Sequence, residues 1–345
     1  MAKAKPVPAL ADRALLAVLA LLALSPMRPQ PASGERLDGM NVIMAPGHPF
    51  GSESARHSLA DLKQLGAGAI ALVPFLWQSS PGSPDLVRGD DMPDAVLRAA
   101  IRDARALGFA VVLKPHVWVP ASWAGAIAMD SEDGWRRWFA NYRRELVRIA
   151  GIAEDEKADA LVVGTELALT TARPEWLDLI DGARARYSGT LLYVAHNADE
   201  AEAVPFWSRL DAIGVSLYPP LGADDDRSGR QSAMRAAADR LDALAARAGK
   251  PVVVAEIGLR SALGAAAKPW ESAEERASAA DPSLQAAVLA DWLAVLDRPA
   301  IRGVMIWRWF TDPNAGGPAD TDFTVQGKPA ERVLQCAWTG ACAQR

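Results

Sequence analysis

Cysteine, histidine and tyrosine are scarce in this chain of 345 residues, which holds two, four and four of them. Two cysteines cannot staple so long a chain into a disulfide scaffold. The histidines (His48, His57, His116 and His196) are scattered singly, without an H-x-H pair. A basic excess is missing too: 37 Lys and Arg against 42 Asp and Glu leave a net charge of −5, which argues against a nucleic-acid partner. No Gly-rich phosphate loop follows the first apolar run, where Pro46-Gly47-His48-Pro49 stands instead of G-x-G-x-x-G. With half its residues hydrophobic and 23% charged, the chain is neither disordered nor a polytopic membrane protein. Tryptophan is abundant: 12 residues against 7 Phe. That is an odd way to fill a core, since each buried indole N–H needs a partner.

Lys3, Lys5 and Arg13 precede an apolar run of 11 residues from Ala14 to Leu24, and a Pro-rich stretch from Ser25 to Gly34 follows it. As a helix the run would rise about 16 Å, too little for a hydrocarbon core of about 30 Å. Residues 1–33 therefore read as an export signal, with an uncleaved membrane anchor as the alternative. The expected location is periplasmic or secreted. Cys336 and Cys342 either close a small disulfide loop, as export would allow, or remain free thiols.

From residue 34 to 345 a single domain is expected. Short apolar, β-branched runs at Met40–Ala45, Ala69–Phe75, Ala110–Lys114, Ala160–Gly164, Leu191–Ala195, Ala212–Leu217, Pro251–Ala255 and Gly303–Ile306 suit parallel strands covered on both faces. Helical patterns lie between them, among them Met92–Leu107, Trp135–Ala150, Pro174–Arg186, Ser232–Ala248 and Ser283–Leu296. Gly108 and Gly249 stand where two of these should stop. Eight such units predict an α/β fold of the (β/α)8 TIM-barrel type. A doubly wound open sheet is the competitor, disfavoured by the missing phosphate loop.

In a barrel, chemistry is built at the carboxyl ends of the strands. Polar groups stand there: His48, Trp77, Lys114-Pro115-His116 with Trp118 beyond, Thr165-Glu166, His196-Asn197, Tyr218, Glu256 and Trp307-Arg308-Trp309. Glu166 and Glu256 end strands four and seven, on opposite sides of the barrel. A single carboxylate so placed is commonly a solvated strand end. Two that face each other are what cleavage of a glycosidic bond requires, one to donate a proton and one to attack the anomeric carbon.

Val163-Gly164-Thr165-Glu166-Leu167 and Val254-Ala255-Glu256-Ile257-Gly258 resemble the two signature segments of glycoside hydrolase family 113. Trp307-Arg308-Trp309-Phe310 and the stretch Asp322 to Ala330 resemble the end of such barrels, so the likeness runs from about Gly39 to Ala337. The resemblance implies a retaining β-mannanase without a cofactor, Glu166 as general acid/base and Glu256 as nucleophile. It also implies that Tyr218 hydrogen-bonds the nucleophile; read from the residues alone, Tyr218 could equally cap the core. The wider clan has Asn before the acid/base glutamate to hold the sugar 2-hydroxyl; Thr165 departs from it, as in family 113. Retention predicts carboxyl groups about 5–5.5 Å apart. An apolar mouth and the neighbouring Glu256 should raise the pKa of Glu166.

His196, Asn197, His116 and Lys114 are candidate ligands for sugar hydroxyls. Trp77, Trp118, Trp123, Trp270, Trp307 and Trp309 fall on the active face. Trp135, Trp138, Trp176, Trp207, Trp292 and Trp338 fall in or beside helices, as packing residues. Only one of Trp307 and Trp309 is expected to floor the sugar site. Three rival readings remain: a metal hydrolase using His48, His116, His196 and Asp312, a glycan-binding barrel without catalysis, and the same mechanism acting on a glucan or an envelope glycan. The expected partner is a carbohydrate; a membrane enters only with an uncleaved leader.

Overall fold

The computed structural model describes residues 1–2, 36–89 and 92–342. The leader expected at 1–33 lies almost entirely outside the described residues. Eight parallel strands close into a barrel: β1 (Gly39–Ile43), β2 (Ala69–Leu72), β3 (Ala110–Leu113), β4 (Ala160–Thr165), β5 (Thr190–His196), β6 (Ala212–Leu217), β7 (Val252–Ile257) and β8 (Ile301–Phe310). Each pairs with its sequence neighbours, and β1 closes on β8. One helix follows each strand: α1 (Glu53–Gln64), α2 (Asp94–Ala106), α3 (Glu132–Asp155), α4 (Glu175–Arg184), α5 (Asn197–Ala203), α6 (Arg227–Ala248), α7 (Pro282–Val295) and α8 (Pro329–Thr339). The fold is a (β/α)8 barrel, as the alternation predicts.

Several helices begin where the sequence signals a start. Ser131 accepts from the Gly134 N–H at 3.1 Å, Asp281 from the Leu284 N–H at 3.0 Å, and Pro282 and Pro329 stand in first turns. Gly249 ends α6 at φ +62°, a left-handed conformation that glycine adopts without a side-chain clash.

Alternation along the strands separates two cores. Ala69, Ala71, Val112, Ala160, Val162, Leu192, Val194, Ala212, Val253, Ala255 and Met305 fill the barrel interior. Their neighbours in sequence pack outward against the helices. The outer core holds Trp138, Trp176 and Trp292, all fully buried, so the packing role expected for the helix tryptophans is met there.

β2 and β3 stop earlier than their apolar runs suggest, because Pro74 and Pro115 cannot donate to a ladder. Both chains resume beyond the barrel as a small sheet. Phe75–Trp77 pairs in parallel with His116–Trp118 and antiparallel with Val87–Arg88. This sheet raises one wall of the mouth. At the far end of the chain, Cys336 and Cys342 are joined in a disulfide with their Cα atoms 4.6 Å apart.

Gly164 shows how closely the end of β4 is packed. A Cβ there would come within 2.6 Å of Trp176 Cη2 and 2.9 Å of Tyr193 Cε2. Both rings are fully buried and have nowhere to move. Gly164→Ala should therefore lower stability by about 1–3 kcal/mol, read as a lower urea midpoint at unchanged slope.

Candidate active site

Strict alternation would send Glu256 outward, because Val253 and Ala255 already face the barrel interior. The register between β6 and β7 slips between Val254 and Glu256, leaving Ala255 without a partner of its own. That bulge turns Glu256 into the mouth, a common use of an extra residue in a strand. The Tyr218 hydroxyl donates to Glu256 Oε1 at 2.9 Å, and the Lys114 ammonium donates to Oε2. Lys114 is fully buried. It also donates to Asn41 Oδ1 at 2.9 Å and lies 5.1 Å from the centre of the Trp307 ring. Asn41 is held by its own donation to the Ala255 carbonyl at 3.0 Å. Burial raises the Tyr218 phenol well above its usual pKa and the charge of Glu256 adds to it, so the hydroxyl remains a donor.

Glu166 follows the last residue of β4 with φ +54°, in the left-handed region that costs a non-glycine residue about 1–3 kcal/mol. Its own N–H donates to the Val194 carbonyl at 2.7 Å, and the Leu167 N–H donates to the Tyr193 hydroxyl at 2.8 Å. These bonds to β5 hold the turn. Glu166 Oε1 lies 3.0 Å from His196 Nδ1. Burial pushes the Glu166 carboxyl up, but the hydrogen bond with His196 and the positive charge around it, Lys114 included, outweigh it and hold the carboxyl below its usual range. The expectation of a raised pKa is therefore overturned. The sequence suggests the apolar mouth but not that His196 would sit against the carboxyl.

The structure gathers the other candidates unequally. His116 flanks the mouth; burial lowers its pKa against the opposing pull of Glu166, which favours a neutral imidazole. Asn197 spends its amide on protein groups: Oδ1 accepts from the Tyr218 N–H at 2.7 Å, and Nδ2 lies 3.0 Å from His196 Nε2. Thr165 is buried, and its hydroxyl donates to the Pro115 carbonyl at 3.0 Å, tying β4 to β3. Trp307 faces Lys114 in the mouth. The β1–β8 register skips Arg308, so Trp309 turns outward and donates its indole N–H to Ser58 Oγ at 2.8 Å. Trp309 thus joins the packing set, while Trp77, Trp118, Trp123 and Trp270 stay more than a third exposed. Trp77 and Trp118 stand side by side on the small sheet, ring centres 6.1 Å apart, and Trp123 packs edge-on against His196 at 5.0 Å.

Two groups escape sequence reasoning. Asn41 carries a usable signal, a lone amide inside the apolar strand Met40-Asn41-Val42. Glu200 carries little: it reads as an ordinary helix carboxylate, yet it accepts from the Tyr193 hydroxyl at 2.5 Å and the His196 N–H at 2.7 Å. Its burial raises it to about 7. The metal reading finds little support in the arrangement. His48 lies 3.7 Å from Asp312, whereas His196 pairs with Glu166 and His116 stands near it. Among the described residues no three His, Cys, Asp or Glu side chains converge to hold an ion.

The sequence profile of Glycoside Hydrolase Family 113 matches residues 42–328. No curated protein is similar enough to count as a match. Among solved structures, the GH113 beta-mannanase AaManA from Alicyclobacillus acidocaldarius superposes with a TM-score of 0.80 at 25% identity, over 89% of this chain and 98% of that one. A GH113 beta-1,4-mannanase gives the same TM-score at 26% identity, over 89% of this chain and all of the other. A beta-glucuronidase from Ruminococcus gnavus shares the fold at 14% identity and a TM-score of 0.61, over 88% of this chain and 50% of that one. With the profile spanning most of the barrel and its strand-end carboxylates, the chain belongs to glycoside hydrolase family 113 and is a glycoside hydrolase.

Proposed function

We propose that this glycoside hydrolase is a retaining β-1,4-mannanase in which Glu256 is the nucleophile and Glu166 the general acid/base. The observation that carries the reading is the unequal treatment of two carboxyls in one mouth. Glu256 accepts from two donors, one of them cationic, which suits an ionised, acceptor-only carboxylate fixed in one rotamer. Glu166 is held through one oxygen, and Oε2 accepts no hydrogen bond from the described residues. The charges of both reach His116, His196 and Tyr218, so the two carboxyls share one site.

In the first step an oxygen of Glu256 bonds to the anomeric carbon as the glycosidic bond breaks, and the leaving oxygen takes the proton from Glu166. In the second, Glu166 takes a proton from water, the water oxygen bonds to the anomeric carbon, and the bond to Glu256 breaks. Trp307 offers the sugar an apolar floor beside Glu256. The aromatic wall of Phe75, Trp77 and Trp118 extends that floor, which favours a chain of sugars over a single one. The mannanase activity of the two similar structures supports mannan as the substrate.

A screen on mannan, glucan, xylan and peptidoglycan fragments should give products from mannan, with the β anomer appearing first by NMR. Inverted product would exclude the double displacement, and turnover of another polymer alone would move the substrate. A fluorosugar with a slow second step should label Glu256, and Glu166→Ala should lower kcat by about 10²–10⁴-fold.

The pairing of Glu166 with His196 sets a pH dependence. An acid whose pKa is held low loses its proton early as pH rises. His196→Ala removes the lowering partner and leaves the burial. The Glu166 carboxyl should then titrate at higher pH, followed by 13C NMR, and the basic limb of kcat/KM should move up. A basic limb that stays in place would separate His196 from the proton.

The Cys336–Cys342 disulfide supports export, since such bonds persist in oxidising compartments. Fractionation of the source cells should find the chain outside the cytoplasm, shortened if the leader is cleaved and membrane-bound if it is not. A cytoplasmic, full-length protein with free thiols would refute export.

A further inference from the structure

Asn197 directly follows the strand that delivers His196, and its conformation is unusual. It lies at φ +55°, a left-handed backbone that Asn and Asp tolerate better than other non-glycine residues. Its amide is caught between two fixed groups. The Tyr218 backbone N–H can only donate, so the atom 2.7 Å from it must be the amide oxygen. The amide nitrogen is thereby turned to His196 Nε2 at 3.0 Å. An NH2 group facing a ring nitrogen needs an acceptor there, which leaves the ring proton on Nδ1, directed at Glu166 Oε1 at 3.0 Å. Flipping the amide offers no escape, because its nitrogen would then face the Tyr218 N–H, donor against donor.

We propose that Asn197 is a positioning residue that fixes His196 as the neutral Nδ1–H tautomer and thereby confines the catalytic proton of Glu166 to Oε2. This rests on the reading of Glu166 as the general acid/base. Oε1 is held by a proton that belongs to the imidazole; the proton that is transferred must sit on the other oxygen, the one turned toward the cleft. Without the clamp, the imidazole could take a second proton and Glu166 would remain an ionised partner of an imidazolium. The groups facing His196 pull in both directions. Burial works against a positive ring, and the carboxylates of Glu166, Glu200 and Glu256 work for it, with a net upward pull. His116, itself favoured neutral, lies against the same carboxylates, and the edge contact with Trp123 at 5.0 Å covers one side of the ring. The Asn197 amide adds the missing discrimination, because it opposes a proton at Nε2 specifically. The backbone is pinned as well: the His196 N–H donates to Glu200 Oε2 at 2.7 Å.

Asn197→Asp isolates this role. Aspartate tolerates the same backbone, and one of its oxygens can still accept from the Tyr218 N–H, so a merely structural contribution is preserved. Only the atom facing Nε2 changes, from donor to acceptor. Nitrogen-15 NMR of the four ring systems, with His196 assigned by its loss in His196→Ala, should show one protonated nitrogen (Nδ1) in the wild type at neutral pH. Both nitrogens should be protonated in Asn197→Asp. On mannan the variant should lose at least about tenfold in kcat with KM little changed, and the basic limb should move to lower pH. A doubly protonated or Nε2–H His196 in the wild type overturns the proposal, even if the variant fails to fold. So does an Asn197→Asp ring spectrum identical to the wild type. The NMR result stands without activity, so failure to cleave any glycan would count against Glu166 as an acid and not against the clamp.

Discussion

Lys114 and Glu256 meet inside the mouth of the barrel, and most of the neighbouring arrangement answers to that contact. A buried ammonium left without partners costs several kcal/mol, and so does a buried carboxylate. Each is satisfied here by groups from other strands. Asn41 on β1 receives one Lys114 proton and anchors itself on the β7 backbone. Tyr218, just past β6, takes the second carboxylate oxygen, and Trp307 on β8 lends the face of its ring to the ammonium. Four strands besides β3 thus converge on one pair. Removing any member would leave a charge or dipole stranded, which is why a site built this way is rigid before substrate arrives.

The convergence depends on two places where the strands depart from regular pairing. In a parallel barrel the inward set is decided by parity, and one residue of slippage reverses it. Ala255 is the extra residue on β7 and Arg308 the extra residue on β8. The first brings Glu256 in; the second sends Trp309 out to Ser58 while Trp307 stays in. Without the first, the barrel would present Ile257 to the mouth and bury a carboxylate among the helices. These two bulges lie next to the reacting groups, where the change of parity aims side chains.

This also marks what was legible in the residues alone. Lys114, His196 and Tyr218 follow period-two counting from the interior residues Val112, Val194 and Ala212, and their arrival at the mouth could be read from the sequence. The eight units and their order could be read too, because each apolar run is short and several helices are flanked by capping residues. The bulges could not, since nothing in Val254-Ala255-Glu256 or Trp307-Arg308-Trp309 distinguishes an inserted residue from a regular one. The direction of the Glu166 shift was hidden for a related reason. It depends on His196 reaching back 30 positions to a carboxyl on the next strand, a contact that composition and spacing do not encode. The breaks at Pro74 and Pro115, by contrast, were written in the chain as a missing N–H.

The two carboxyls differ in what surrounds them as much as in their strands. Glu256 touches the Lys114 ammonium and a phenol that burial keeps protonated, so its surroundings offer donors only. Glu166 touches an imidazole, a group able to exchange roles between donor and acceptor, in a turn tied down by β5 and by the Tyr193–Glu200 pair. A nucleophile needs a fixed charge and a fixed direction; an acid/base needs a partner whose own protonation is under control. The outer contacts follow that division. Tyr218 serves both sides at once: its hydroxyl holds Glu256, and its backbone N–H orients the amide of Asn197 beside His196. The end of β6 therefore couples the geometry of the attacking group to the tautomer beside the proton donor, so that displacing Tyr218 would disturb both halves of the site together.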